Sequence, residues 1–412
     1  METRTLPLSQ LAAVVAGNAL EFYDFLIFGF FAVQIGKTFF PAAGDTGGLL
    51  LTLATFGVGF LTRPLGGVVI GSMGDRLGRK PAMLLSFGLM GASIVGLALT
   101  PAYASIGIAA PILAVLFRLL QGFALGGEVG PSTAFLMEAA PPGKRGLYVS
   151  LQSTTQQAAI LTAGLVGLAL SNLMSVAALE AWGWRIAMLM GAAIVPFGLM
   201  IRRRLPETLA EGSETKLPRL TRQQAWQALC GVFILAASTI STYMMNYMVT
   251  FGTHTLGLAP RIAFGATVVT GLCGMLFGPV GGWLSDRFGR KKMMLVSLTL
   301  LLAATLPCFM VIVATRAPLA LFAGTAVMAT LLALSTTTIL VIVSENLPAA
   351  SRSGGIGIIY ALAISVFGGT AQFVVTWLID ALASPLAPAW YMSGAIVIAI
   401  AAMLAMPLRA GA

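Results

Sequence analysis

The sequence predicts an all-α membrane protein: twelve transmembrane helices in two pseudo-symmetric six-helix bundles, with both termini cytoplasmic. Three observations carry that expectation. The 412 residues are 58% apolar and only 9% charged, with a mean hydropathy of +0.93, which no water-facing surface sustains. The apolar residues fall into twelve long runs, and two charged loop signatures recur half a chain apart. A soluble enzyme is excluded, and the short connections leave no room for a large extramembrane domain. The net charge of +10 sits in clusters between apolar runs, so it suits a membrane surface rather than nucleic acid.

A crossing needs about 20 residues, and the runs are read in that light. In the first half they lie at 11–38, 47–73, 81–100, 106–137, 146–172 and 184–201; in the second at 226–251, 262–284, 293–314, 318–344, 355–379 and 390–407. The polar stretch between them reads as a linker, giving an N-terminal bundle 1–201, a cytoplasmic linker 202–225 and a C-terminal bundle 226–412. No cleavable signal segment precedes the first run, so span one is expected to be its own insertion signal. Cys230, Cys273 and Cys308 are scattered in apolar runs, and with one histidine, His254, neither a disulfide framework nor a metal site is expected. His254 reads as an interfacial residue at the outer end of span seven.

Orientation follows from the basic residues. With the N-terminus inside, 18 of the 24 Lys and Arg lie on cytoplasmic segments, 4 (Lys37, Arg185, Arg261, Arg316) lie outside, and Arg63 and Arg118 lie within spans. That imbalance places both termini in the cytoplasm. The cytoplasmic loops also repeat. Gly71-x-x-x-Asp75-Arg76-x-Gly78-Arg79-Lys80 returns 211 residues later as Gly282-x-x-x-Asp286-Arg287-x-Gly289-Arg290-Lys291. Glu138, seven residues before Arg145, returns as Glu345, seven before Arg352, at an offset of 207. Two signatures repeated on one side of the membrane imply parallel halves related by an axis along the membrane normal, with a cavity between them.

Charges inside spans are expensive, and all five lie in the first half: Glu21 and Asp24 in span one, Arg63 in span two, Arg118 and Glu128 in span four. Arg63 is about eleven residues, or roughly 16 Å, from the cytoplasmic loop, near mid-bilayer. Two arginines at that depth demand anions, either resident carboxylates or an anionic ligand. A guanidinium matches a carboxylate in bidentate fashion, so a carboxylate substrate fits. At the repeat-equivalent positions stand Gly274 and Thr325, so charge recognition is lopsided. The second half offers neutral partners instead: Thr239, Tyr243 and Asn246 on one face of span seven, Thr336, Thr337 and Thr338 in span ten, and Tyr360 in span eleven. Gln152 and Gln156 share a face of span five. Each of these polar faces lines either the cavity or a helix contact.

Asn18, Glu21 and Asp24 fall within roughly a third of the circumference of span one. A desolvated carboxylate near an arginine can titrate close to neutrality, which makes Asp24 and Glu128 the candidate proton carriers and Glu21 their structural companion. The Gly-Asp-Arg loops, with Glu138–Arg145 and Glu345–Arg352, read as gates whose basic residues also meet lipid headgroups.

The repeated loop resembles the signature of the major facilitator superfamily, as does Arg118-x-x-Gln121-Gly122. More narrowly, Gly17-Asn18-x-Leu20-Glu21-x-x-Asp24-Phe25, Arg63-Pro64-x-Gly66, Gly127-Glu128-x-Gly130, Trp182-Gly183-Trp184-Arg185 and Gln152-Ser153-x-x-Gln156-Gln157 resemble the metabolite:proton symporter branch, and within it citrate and tricarballylate symporters. The resemblance implies a bacterial inner-membrane carrier importing a tricarboxylate by proton symport and alternating access. It adds Asn18, Tyr23 and Gln121 to the substrate-binding candidates. No cofactor, nucleic acid or protein partner is implied; the partners are a small anionic carboxylate and the bilayer. A dicarboxylate carrier of the α-ketoglutarate type, an osmolyte symporter and sodium-coupled uptake are the alternatives. No phosphate-binding loop of an ATP-driven pump is present, and the scarcity of histidine and cysteine argues against an enzyme.

Overall fold

The computed structural model describes residues 22–77, 79–126, 143–193, 221–346 and 359–407, together with Ala19, Leu136, Ala140 and Pro141. Among these residues there are helices and no strands. Eight helices are long and apolar enough to cross a bilayer: Pro41–Ile70, Arg145–Leu173, Arg222–Thr255, Pro260–Phe288, Arg290–Thr315, Pro318–Glu345, Ile359–Ala381 and Ala387–Ala405. They are spans two, five and seven to twelve. Spans three and four appear as the shorter apolar helices Leu84–Leu99 and Ala109–Leu125. The described part of span six is Trp184–Ala192. The linker falls largely outside the described residues.

Span one, expected over 11–38, is described continuously from Phe22 onward. Its described residues form Phe22–Phe30 and Ala32–Phe39, bent by 67°. Phe31, at the joint, is fully buried and packs its ring 4.9 Å from that of Phe264 in span eight. No proline marks this bend in the sequence. Span two is interrupted at Thr62, between helices Gly44–Leu61 and Arg63–Leu77. Pro64 then sits in the first turn of the restarted helix, where its missing N–H removes no hydrogen bond. The Thr62 hydroxyl donates to the Leu119 carbonyl at 2.7 Å, tying the break to span four. Spans seven and eleven each contain a π-turn, Phe251–Thr255 and Ile364–Gly368.

The two halves meet along two helix pairs that the repeat exchanges, five with eight and two with eleven. Both contacts are made through glycine. A Cβ on Gly57 in span two would collide with the Gly369 carbonyl of span eleven, and one on Gly271 in span eight would collide with the backbone of Leu161 in span five. Gly146 and Gly282 meet at one end of the five–eight seam, and Gly167 faces Phe264 towards the other. Large apolar side chains such as Leu61 (68% exposed), Val68 (69%) and Leu319 (78%) line the outside, as lipid-facing positions require.

Candidate substrate site

The arginines of spans two and four converge on a cage of phenylalanines. The guanidinium carbon of Arg63 lies 4.3 Å from the ring centroids of both Phe25 and Phe60. That of Arg118 lies 4.3 Å from Phe25, 4.7 Å from Phe28 and 4.9 Å from Phe56. Both cations therefore share the Phe25 ring, no farther apart than twice its distance from each. Desolvated cation–π contacts are worth about 2 kcal/mol, so the rings stabilise each guanidinium. Helical spacing builds the cage: Phe56, Phe60 and Arg63 are i, i+4 and i+7, and Phe25 and Phe28 are i and i+3.

Arg118 is fully buried. It donates to Gln121 Oε1 at 2.5 Å, to the Phe56 carbonyl at 3.2 Å and to the Phe25 carbonyl at 3.5 Å, while its Nε has no partner among the described residues. No carboxylate stands within 4.0 Å of it among those residues. Span four thus pins the backbones of spans one and two. Gln121, a candidate from its motif, acts here on Arg118 itself. Arg63 is only partly buried and sits at the break in span two.

The second half closes the cage. The Tyr243 ring is 6.0 Å from Phe56 and 5.8 Å from Phe60, which brings it to the walls that hold both arginines. Tyr360 and Gln156 approach each other across the halves. Thr239 packs with Tyr243 against Gly368, at the end of the π-turn in span eleven. Asn246 and Gln152 are each 2% exposed, and Asn246 Oδ1 has no partner among the described residues. In span ten, Thr336 shares a 3.1 Å hydrogen bond with Ser238 of span seven and Thr337 lies by Gly281 of span eight, so both serve helix contacts.

Tyr23 and Asp24 face span six. The Tyr23 hydroxyl donates to the Ala187 carbonyl at 3.1 Å. Asp24 is 4% exposed and lies against Gly191, where a Cβ would collide with its Oδ1; that oxygen has no hydrogen-bond partner among the described residues. Asn18, Glu21, Glu128, Gly78, Glu138 and Arg352, with the side chains at 71, 75, 76 and 79, lie outside the described residues.

On the face carrying the basic loops, the repeated motif makes a lock. Span five has no side-chain cap of its own. Asp286, from the other half, accepts the N–H groups of Gly146 at 2.8 Å and Leu147 at 3.0 Å, capping that helix in trans. Arg290 braces Asp286 at 2.5 Å and Ser285 at 2.9 Å, and reaches Glu345 at 3.4 Å. Arg145 approaches Glu345 at 4.0 Å. Gly289, at φ +90°, makes the turn that brings Arg290 back onto Asp286, a conformation that favours glycine. Gly282 supplies the close approach to span five. Arg287 is not among these contacts: it is exposed, 5.6 Å from the Trp283 ring and 5.7 Å from Phe288.

The phenylalanine cage was missed in the sequence, although the Phe56, Phe60, Arg63 spacing on one face was the available signal. Gln372 was missed too; it is 2% exposed in span eleven, lies near Gly29 and Phe56, and has an Oε1 with no partner among the described residues.

Comparison with known proteins agrees with this architecture. The family model described as Major Facilitator Superfamily matches residues 14–360 and 254–411. A citrate-proton symporter of Klebsiella pneumoniae is 35% identical over 92% of this chain and 87% of its own. One of Salmonella typhi is 35% identical over 96% and 93%. The alpha-ketoglutarate permease of Escherichia coli K12 is 36% identical over 87% and 84%. Among solved structures, that of a D-xylose-proton symporter superposes with a TM-score of 0.77 over 97% of both chains at 18% identity, a likeness of fold.

Proposed function

The chain belongs to the Major Facilitator Superfamily, and from that premise we propose that it imports citrate by proton symport, rocking its two halves about the arginine cage. The observation that carries the reading is the pair of guanidiniums on the Phe25 ring. Such a site attracts a small polycarboxylate, and the aromatic walls accept its methylene groups. The citrate-proton symporters at 35% identity over nearly the whole chain support the substrate and the coupling ion.

In this reading Arg63 takes a carboxylate directly, while Arg118 positions the walls and adds long-range attraction. Tyr243, and the Gln156–Tyr360 pair spanning the halves, donate neutral hydrogen bonds that close around the ligand. Both termini and the basic lock face the cytoplasm of a bacterial inner membrane. The lock must open to release substrate inward. Importing an anion against a negative interior costs about 2.3 kcal/mol per charge per 100 mV, so cations must accompany citrate. Asp24, buried and able to hold a proton on its unpartnered oxygen, is the carrier within the described residues; Glu128 and Glu21 remain candidates from the sequence.

Uptake of labelled citrate, tricarballylate and α-ketoglutarate into proteoliposomes, with pH and sodium gradients imposed separately, tests the proposal. Citrate accumulation that follows the pH gradient is the expected result. The 36% identical α-ketoglutarate permease favours a second reading, a dicarboxylate carrier. Preference for α-ketoglutarate would establish it, and accumulation that follows sodium alone would overturn proton coupling.

A further inference from the structure

Span eleven, Ile359–Ala381, lies along span two, and three of its residues in succession meet the aromatic face of that span. The Ser365 hydroxyl donates to the Phe60 carbonyl at 3.1 Å. Gly369 lets the backbones close up at Gly57 and packs on the Phe60 ring. Gln372, one turn farther from the basic lock, reaches past the Phe56 ring to span one: a Cβ on Gly29 would stand 3.4 Å from its Oε1 and 3.4 Å from Phe56 Cε2. The first two contacts suit a closed seam. The third does not, because Gln372 is 2% exposed and its Oε1 has no hydrogen-bond partner among the described residues. A buried amide oxygen without a donor forfeits the hydrogen bond that water gives it once the halves part, so the penalty falls on the closed seam alone. Span one bends just beyond Gly29, where Phe31 packs on Phe264. Closure of this side therefore sets the joint of span one against spans eight and eleven together.

We propose that Gln372 acts as a spring between the halves: its amide, buried where spans one, two and eleven meet, raises the free energy of the closed seam and drives this side of the cage to reopen. A two-state equilibrium moves by the difference a group makes between the two states. An unsatisfied acceptor favours the open state about five- to hundredfold relative to an apolar side chain of the same size. The Ser365 bond, made only while the seam is closed, pulls the other way, so two residues seven apart on one helix set the balance. A carrier needs such a balance, since a seam that closed without penalty would hold the halves shut on this side after each stroke. The spring acts on the halves and not on the ligand, so it is independent of the substrate. That this side is the external one rests on the orientation proposed above.

Distance measurements without substrate test it. Spin labels at Ala42→Cys, near the start of span two, and Leu382→Cys, at the end of span eleven, both exposed positions, are read by pulsed electron resonance in nanodiscs, in a chain carrying Cys230→Ala, Cys273→Ala and Cys308→Ala. The ratio of long to short distances should fall about five- to hundredfold in Gln372→Leu. Gly29→Ser should lower it too, by offering a hydroxyl to the amide oxygen, whereas Gly29→Ala, which adds the same carbon without the donor, should not. In a Gln372→Leu background the two Gly29 variants should be alike. Gln372→Met, apolar and unbranched like glutamine, gives the same readout where leucine lowers Tm. An unchanged ratio in the apolar variants, equal effects of Gly29→Ser and Gly29→Ala with Gln372 in place, or a serine effect that survives Gln372→Leu would each overturn the spring. So would a parent that shows the short distance alone at every pH, since its amide would then drive nothing open. Failure of the parent to take up citrate would overturn the function proposed above and leave these distances to decide the spring.

Discussion

Asp286, in the C-terminal half, accepts a 2.8 Å hydrogen bond from the backbone N–H of Gly146, in the N-terminal half. A helix that lacks its own cap is thus completed by the opposite bundle, and only while the two are together. Closure of the basic face and completion of span five are one event.

Asp286→Asn should therefore uncouple binding from turnover. The neutral amide cannot accept both span-five N–H groups and Arg290 as a carboxylate does, and loss of charged hydrogen bonds costs about 1.5–3 kcal/mol. Calorimetric citrate affinity should stay within about threefold, while initial uptake falls about ten- to hundredfold. Equal losses in both would mean that Asp286 shapes the site itself.

The two arginines should separate by their surroundings. Arg63→Lys keeps the charge but loses the bidentate geometry, so citrate affinity should fall roughly ten- to hundredfold. Arg118→Lys also removes ties to the Phe25 and Phe56 carbonyls and to Gln121, so it should lower Tm by several degrees as well. Thermal melts and calorimetry on both variants check this; unchanged affinity in Arg63→Lys would move the substrate contact elsewhere.

Asp24→Asn should leave exchange of labelled for unlabelled citrate and abolish accumulation driven by a pH gradient, because the amide fits the same space but carries no proton. Both assays run on the same proteoliposomes. Retained accumulation would transfer the proton to Glu128 or Glu21.

Gly282→Ala should prop the basic face open. The added methyl meets the Gly146 carbonyl, which cannot retreat without parting spans five and eight. Accessibility of a cysteine placed near Arg145 should rise several-fold, while transport drops at least about tenfold; wild-type transport would show that the seam can shift to accommodate a methyl.

Much of this was legible beforehand, for physical reasons. A bilayer imposes run lengths that composition reveals, and Arg63 and Arg118 stand out because a buried guanidinium cannot shed its charge. The Asp286 loop announced itself by repetition. Its partner did not: Gly146 N–H is reached only once the halves pack, and a backbone donor leaves no trace in sequence. Phe25 was visible in a motif, yet its place between two cations depends on spans one, two and four together. Asp24 is adjacent to Phe25 but about 100° around the helix, which turned it towards Gly191 rather than the arginines. The bend at Phe31 carries no proline; Gly29, two residues earlier, is a weak local signal, and the Phe31 ring packs against Phe264.

The seam between spans five and eight presents backbone to backbone through Gly146, Gly271 and Gly282. Interlocked side chains would have to change rotamer at each stroke, and every such change would add to the barrier. Glycine surfaces roll on one another with their carbonyls and Cα hydrogens in contact, so the joint works as a bearing. The cost of a stroke is then concentrated at its two rims, one fastened by ions and the other by the aromatic ring of Phe264, and chemistry acting on a rim sets which way the machine leans.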